Sequence, residues 1–307
     1  MRKDCIVPCI RHWASITGAA VPSGVGGCMV GAHEPIVSPG AGDKDLRTVA
    51  DEALLAWAEE QGLSPQDALM QAFSRRIIPS RYSKNLNALS LEEQRRLCGS
   101  TVLVCGCGGL GGIMVQLLAR AGVGRLRLVD DDVFTESNLN RQLLSDSDVL
   151  SQSKVVIAEH TVREVNPFVV VEAVRGRLTS ANADLLVQEV DLVLDALDNL
   201  ESRRWLAAAA RRVGVAFVHG AVAGWWGQVS TFLPGSSFDL ESIYTSRRSR
   251  DDAEQDLGVL GPAAATIGSL QALEALRLLC GRAAAYSDRL LYFDGESGRI
   301  EVVPLEC

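Results

Sequence analysis

The chain has no Cys-x-x-Cys pair, although it contains eight cysteines, at 5, 9, 28, 98, 105, 107, 280 and 307. A four-thiolate zinc site needs such spacing, so zinc is not expected. Cys5, Cys9 and Cys28 are left as a weak alternative set. No apolar run approaches the ~20 residues that span a bilayer. Arg11 and His12 interrupt the apolar stretch near the start, so neither a membrane span nor a signal peptide is expected, and the default location is cytoplasmic. Positive charge is not in excess either. The formal net charge is −8, which argues against a general nucleic-acid binder, whose domains are usually basic.

What the chain does have is concentrated in VLVCGCGGLGGIMVQLLARAGVGRLRLVDDD, Val102 to Asp132. An apolar strand, Val102 to Cys105, enters a loop containing Gly106, Gly108, Gly109, Gly111 and Gly112. An apolar helical stretch, Ile113 to Ala121, follows, and a second strand, Leu126 to Val129, ends at Asp130. This is a β-α-β unit with glycines where backbone N–H groups would approach a phosphate at a helix N-terminus. An acid stands where ribose hydroxyls would donate to it. Tight-turn glycines alone would be a weak signal. With strand, helix and acid in place, nucleotide binding is the expectation.

Upstream, residues 1–44 are rich in Gly and Pro and read as a flexible arm; Gly24, Gly26 and Gly27 follow no strand and are taken as loop. From Asp45 the recurrence of Leu46, Val49, Ala50, Ala53, Leu54 and Trp57 predicts a helix ended by Gly62. Ser64-Pro65 opens a second helix, and Ser90 with Glu93 fits a capping box for a third. Residues 45–98 are therefore a helical extension and connector, and 99–307 the nucleotide-binding domain. Arg95 and Arg96 are expected on a solvated face.

Downstream, Asn138 to Gln142 suits an irregular turn over the nucleotide pocket. A helix over Ser153 to Val165 carries Lys154 in its first turn, where a cation opposes the helix dipole and is easier to explain with an anion nearby. Val169 to Val174 is a strand and Ala181 to Glu189 a helix. The strand Leu192 to Leu194 ends at Asp195, Asp198 and Asn199, and the carboxyl ends of such strands are where open α/β sheets place ligand groups. Trp226 to Leu233 looks antiparallel, and two strands around Asp294-Gly295-Glu296 close the chain. The predicted fold class is α/β: a Rossmann-like, mainly parallel sheet with antiparallel edge strands, plus the small N-terminal helical extension.

Several of these stretches together resemble the ThiF/MoeB/HesA family, bacterial relatives of ubiquitin-activating enzymes. They are RYSKN at 81–85, GCGGLGG at 106–112, AGVGRLRLVDDD at 121–132, SNLNRQ at 137–142, Lys154, NP at 166–167, DALDN at 195–199, GQVSTF at 227–232 and GVLGPAAATIGSLQALEAL at 258–276. The resemblance implies an ATP-dependent adenylyltransferase that joins AMP to the C-terminal carboxylate of a small ubiquitin-like sulfur-carrier protein ending in Gly-Gly, releases pyrophosphate, and works as a homodimer. It places Gly106, Gly108, Gly109 and Gly111 at the phosphates and Asp130 and Asp132 at the ribose end. Asn138, Arg141 and Lys154 fall on the phosphates, and Asp198 on Mg2+ with Asn199 beside it. Arg141, Lys154, Asp198 and Lys84 are the expected catalytic set.

Such chemistry needs charge neutralisation where a carboxylate meets a triphosphate, and no protein nucleophile. Three departures matter. Lys84 and Asn85 stand where the family usually has Arg and Gln, and that Arg reaches into the partner subunit's ATP site; lysine keeps the charge but loses bidentate geometry. The zinc motifs are absent. The polar segment Pro234 to Asp256 has no cysteine, so covalent capture by this loop is not expected. The alternatives are adenylation of a peptide or of a carboxylate on modified tRNA, a non-catalytic nucleotide-binding relative, and a Rossmann oxidoreductase, for which nothing resembles a hydride-transfer site.

Overall fold

The structure, a computed structural model, describes residues 37–39, 46–244 and 257–305. Most of the expected arm, Cys5, Cys9, Cys28 and Cys307, and the stretch 245–256 lie outside the described residues.

Among the described residues eight strands form the main sheet, in the order Arg299–Pro304, Arg289–Asp294, Trp226–Phe232, Ala216–Ala223, Leu192–Asp195, Thr101–Cys105, Arg125–Asp130 and Val170–Arg175. Five of them are parallel: β4 (Thr101–Cys105), β5 (Arg125–Asp130), β6 (Val170–Arg175), β7 (Leu192–Asp195) and β8 (Ala216–Ala223). β9 (Trp226–Phe232), β10 (Arg289–Asp294) and β11 (Arg299–Pro304) continue it antiparallel. The sheet therefore has the expected Rossmann-like form with antiparallel edge strands. The central strands read as unbroken apolar runs because both faces are covered: Val102, Leu103, Val104 and Cys105 are all buried. Helices α4 (Gly109–Ala121), α5 (Lys154–Val165) and α8 (Gly261–Leu279) share one core with Val102 and Val104. Helices α6 (Ala183–Leu186) and α7 (Leu200–Val213) share the other with Leu103 and Cys105. The chain runs from β4 outward to β5 and β6, then returns to place β7 on the other side of β4. That reversal leaves a crevice at the carboxyl ends of β4 and β7, the position at which open α/β sheets bind ligands.

Two expectations need correction. Leu46 and Val49 do not belong to a helix: Arg47–Val49 is a strand, β2, paired in parallel with β3 (Ile77–Pro79) and antiparallel with β1 (Val37–Pro39). Their three-residue spacing continues into α1 (Asp51–Gln61), so periodicity alone merged strand and helix. The helix expected over Ala181 to Glu189 shortens to α6, and the chain turns at Glu189 with φ 57°. The other local signals hold. Gly62 closes α1 in the left-handed conformation, Ser64 caps α2 (Pro65–Ser74), and Ser90 with Glu93 forms the capping box of α3 (Leu91–Cys98). Arg95 and Arg96 are both exposed, as expected; Arg95 pairs with Glu92, and Arg96 reaches the Cys280 carbonyl at 3.4 Å.

The extension is fastened to the sheet domain by two of the motifs. Asn166 Nδ2 donates to Tyr82 Oη (2.8 Å) and to the Ala119 carbonyl (2.7 Å), while its Oδ1 accepts the Phe168 amide (3.2 Å). Tyr82 is fully buried, and Gly122, at the end of α4 with φ 89°, leaves room for its ring; a Cβ there would lie 2.6 Å from it. Arg81 pairs with Asp51 and donates to the Val165 carbonyl at 2.7 Å. Replacing Asn166 with Ala strands several buried partners at once. We expect Asn166→Ala to lower stability by about 2–3 kcal/mol, seen as a reduced denaturant midpoint at unchanged slope.

Candidate nucleotide site

The crevice between β4 and β7 is closed from below by a very close backbone approach. Gly106 has φ 96°, its amide donates to the Val129 carbonyl (2.8 Å), and a Cβ on it would fall 2.4 Å from the Ala196 carbonyl. A Cβ on Gly111 would fall 1.8 Å from the Gly106 carbonyl. Only glycines let the loop after β4 pack this tightly against both its own helix and the turn after β7. Helix α4 then begins at Gly109 with no side-chain cap. Its first N–H groups have no partner within the helix, and with the positive end of the dipole they favour an anion.

The acids and bases of the sequence reading gather around this point. Gly106, Gly108, Gly109, Asp130, Asp132, Asn138, Arg141, Lys154, Asp198 and Asn199 all line one cleft of about 320 Å³. Gly111 is buried beneath it. Asp130 accepts the Cys107 amide (2.7 Å) and the Asp132 amide (2.8 Å), which fixes the carboxylate at the loop; burial pushes its pKa up. Lys154 is 6% exposed, not on a solvated helix face. Its Nζ lies 2.9 Å from Asp132 Oδ2 and its amide donates to the Asp132 carbonyl. Asp132 thus has an orienting task that the sequence reading did not give it.

The turn at Glu136–Asn138 forms the roof. Asn138 is buried, with its Oδ1 accepting the Thr135 amide at 3.0 Å. The Arg141 guanidinium donates to the Ser137 carbonyl (2.8 Å) and to Asn140 Oδ1 (2.9 Å), which sets its direction along the cleft wall. On the far side Asn199 caps α7 through Ser202 and donates to Asp198 Oδ1 at 3.1 Å. Asp198 is exposed, and among the described residues no basic side chain pairs with it.

Lys84 is elsewhere. It is exposed and lines a different groove, with Ala121 and Arg277. Its neighbour Asn85 reaches the carbonyl of Ala121, the last residue of α4, at 3.4 Å. The cleft-lining N-terminus of that 13-residue helix is ~20 Å away at 1.5 Å per residue. Lys84 therefore does not serve the cleft of its own chain.

Two residues that line the cleft, Gln142 and Arg203, carry no signal of their own in the sequence. Gln142, buried with Oε1 unpaired, ended the SNLNRQ stretch but was given no role. Ser153 Oγ, beside Lys154, is also buried and unpaired. Arg203 was hidden in an amphipathic helix. It stands one turn after Asn199 and lines the cleft. Behind it lies a buried group of Asp195, His219 and Tyr244, and burial pushes the His219 imidazole below its ordinary pKa. Cys98, Cys105, Cys107 and Cys280 are all buried. Burial pushes the Cys98 thiol up to about 12 and the other three upward as well, so none is a thiolate.

Residues 82–307 match the model of the ThiF family. The chain belongs to the ThiF family. A SAMP-activating enzyme E1 of Haloferax volcanii is 37% identical over 227 residues, 73% of this chain and 84% of that protein. A probable molybdopterin-synthase adenylyltransferase of Porphyra purpurea is 34% identical over 220 residues, 70% of this chain. The chain spans 58% of that second relative and about half of several others named adenylyltransferase and sulfurtransferase. The enzyme class that goes with these relatives is adenylyltransferase. Among solved structures, that of E. coli MccB with ATP has the same fold: TM-score 0.64 at 17% identity, covering 74% of this chain and 71% of that one.

A ThiF-family cleft built on such contacts does not tolerate one extra methyl. We expect Gly111→Ala to lower the melting temperature and to weaken ATP binding at least tenfold, whereas Gly99→Ala, away from the cleft and with no atom nearer than 3.5 Å to its Cβ, should change neither. Calorimetric titration and thermal denaturation of the two variants check this.

Proposed function

We propose that this protein binds ATP in the β4–β7 cleft and adenylates the C-terminal carboxylate of a small ubiquitin-like sulfur-carrier protein. The observation that supports this best is the convergence of Arg141, Lys154 and the uncapped N-terminus of α4 on one cleft, with Asp198 opposite them. Two cations and a helix dipole are more than a dinucleotide pyrophosphate requires, and they suit a triphosphate. Two relatives named for activating or adenylating carriers, the Haloferax SAMP-activating enzyme and the Porphyra adenylyltransferase, direct the reading to a carrier protein.

In the proposed reaction a carboxylate oxygen attacks the α-phosphorus, a new O–P bond forms, and the bond to the β-phosphate oxygen breaks. Pyrophosphate leaves with that electron pair. Backbone N–H groups of Gly109 and its neighbours hold phosphate oxygens, and Asp130 receives ribose hydroxyls. Arg141 and Lys154 lower the repulsion between carboxylate and phosphate, then hold the charge that develops on the leaving group. Asp132 keeps the Lys154 ammonium aimed into the cleft. Asp198 suits Mg2+: it is an oxygen donor with no protein cation beside it, and Mg2+ is usually held by one or two carboxylates plus substrate phosphates. Bound there, the ion would polarise phosphate oxygens. Among the described residues the cysteines are all buried, so the acyl-adenylate is handed on without capture by any of them.

Substitution of Lys154 tests the site. Lys154→Ala should cut carrier-dependent ATP–pyrophosphate exchange by about 10²–10³-fold, with the fold intact by circular dichroism. If exchange proceeds with a short peptide and not with any Gly-Gly carrier, the substrate assignment fails while the site assignment stands.

Lys84 completes the proposal as a residue donated across a homodimer. Mixing Lys84→Ala with Lys154→Ala protein should then restore about a quarter of the unsubstituted rate on random reassortment into two-fold dimers. A mixture no faster than its better component shows that Lys84 does not act in trans.

A further inference from the structure

Beneath Asp198 lies a buried chain of hydrogen bonds that reaches from the cleft to Tyr244. The turn bearing Asp198 is held at both polar groups of Leu197. The Leu197 amide donates to Asp195 Oδ1 at 3.0 Å. Its carbonyl accepts from Arg203 Nε at 3.1 Å and from Nη2. Asp195 and His219 are fully buried, with Asp195 Oδ2 2.7 Å from His219 Nδ1. A carboxylate only accepts, so Nδ1 is the donor and Nε2 of a neutral ring is the acceptor.

Tyr244 Oη lies 3.0 Å from that Nε2 and donates a hydrogen bond to it. The same hydroxyl oxygen accepts from Arg203 Nη1 (3.2 Å) and from Gln228 Nε2 (2.9 Å). Arg203 Nε also lies 3.6 Å from Asp195 Oδ2 and Gln228 Nε2 lies 3.2 Å from His219 Nε2, so the hydroxyl is a second link between the two groups, His219–Asp195 and Arg203, that grip the Asp198 turn. If the group served only to fill the core, an apolar residue would do as well at lower desolvation cost.

We propose that His219 and Tyr244 are positioning residues for Asp198: they fix the Asp195–Asp198 turn so that the carboxylate meets a Mg2+ ion carried by the nucleotide. The inference rests on the reading of Asp198 as the Mg2+ ligand and adds what orients it. It also gives Arg203 the role of a strut, not that of a phosphate ligand.

The test uses full-length protein and ATP binding by calorimetric titration, with and without Mg2+. Tyr244→Phe removes the hydroxyl and keeps the ring. His219→Asn keeps a donor near Asp195 and loses the link to Tyr244. Each variant should raise the Mg2+ concentration that half-saturates ATP binding by about 10-fold or more, the usual effect of losing a partner of a metal ligand. Metal-free ATP affinity should stay within about twofold. A fall in melting temperature with no selective Mg2+ effect overturns the inference and leaves the group a structural brace. If one variant fails to fold, the other decides. If the unsubstituted protein binds ATP no better with Mg2+ than without, the assignment of Asp198 to metal fails, and the inference falls with it. If that protein binds Mg2+-ATP normally and both variants match it, only the inference falls.

Discussion

The approach of Gly106 to Ala196 sets the geometry on which the rest depends. A Cβ at Gly106 would lie 2.4 Å from the Ala196 carbonyl, so the loops after β4 and β7 are pressed together to backbone contact. That contact fixes how far the N-terminus of α4 stands from the turn carrying Asp198. It also joins the two halves of the sheet at the point where strand order reverses. The first amides of α4 and the Asp198 carboxylate are held across a gap whose width no side chain can adjust. Tightness here is a property of the backbone, which is why loss of one methyl's worth of space at Gly111 has consequences beyond packing.

Electrostatics then assigns the sides of the gap. A buried lysine in the first turn of a helix is unfavourable twice over, by desolvation and by the dipole. Lys154 is tolerated because Asp132, still exposed, holds its ammonium at 2.9 Å. Arg141 lines the same cleft, its guanidinium aimed by the Ser137 carbonyl and Asn140 Oδ1. Asp198 lines the same cleft, and among the described residues no basic side chain pairs with it.

Much of this was legible in the sequence because it is local. The glycines, Asp130 and Asp198 sit at the ends of apolar strands, where the chain order of strands and turns fixes their place. Ser64, Ser90 and Gly62 announce helix ends through hydrogen bonds within four residues. What was not legible is long-range. Leu46 and Val49 have helical spacing, yet β2 pairs with β3 across the intervening helices. Asp195, His219 and Tyr244 come from three separate elements, and each alone reads as an ordinary core or turn residue. Arg203 has the pattern of a solvated helix face until Leu197 and Tyr244 are seen beside it.

The two ends of α4 explain how one sequence motif can matter to a site it does not touch. The N-terminus of α4 faces the cleft. Its C-terminus is fastened by Tyr82 against Gly122, by Asn85 against Ala121 and by Asn166 against Ala119. Tyr82, Asn85 and Lys84 belong to one short stretch, so the residues that anchor the helix also fix where Lys84 emerges on the surface. A lysine so placed, one helix length from its own cleft, has two uses open to it: a solvated charge, or a cation offered to another copy. Lysine in place of the family's arginine offers a point charge in place of a bidentate fork. Used across an interface, it would add attraction for a phosphate without demanding one geometry. The stringency of the site would then rest on Arg141 and on the braced turn of Asp198.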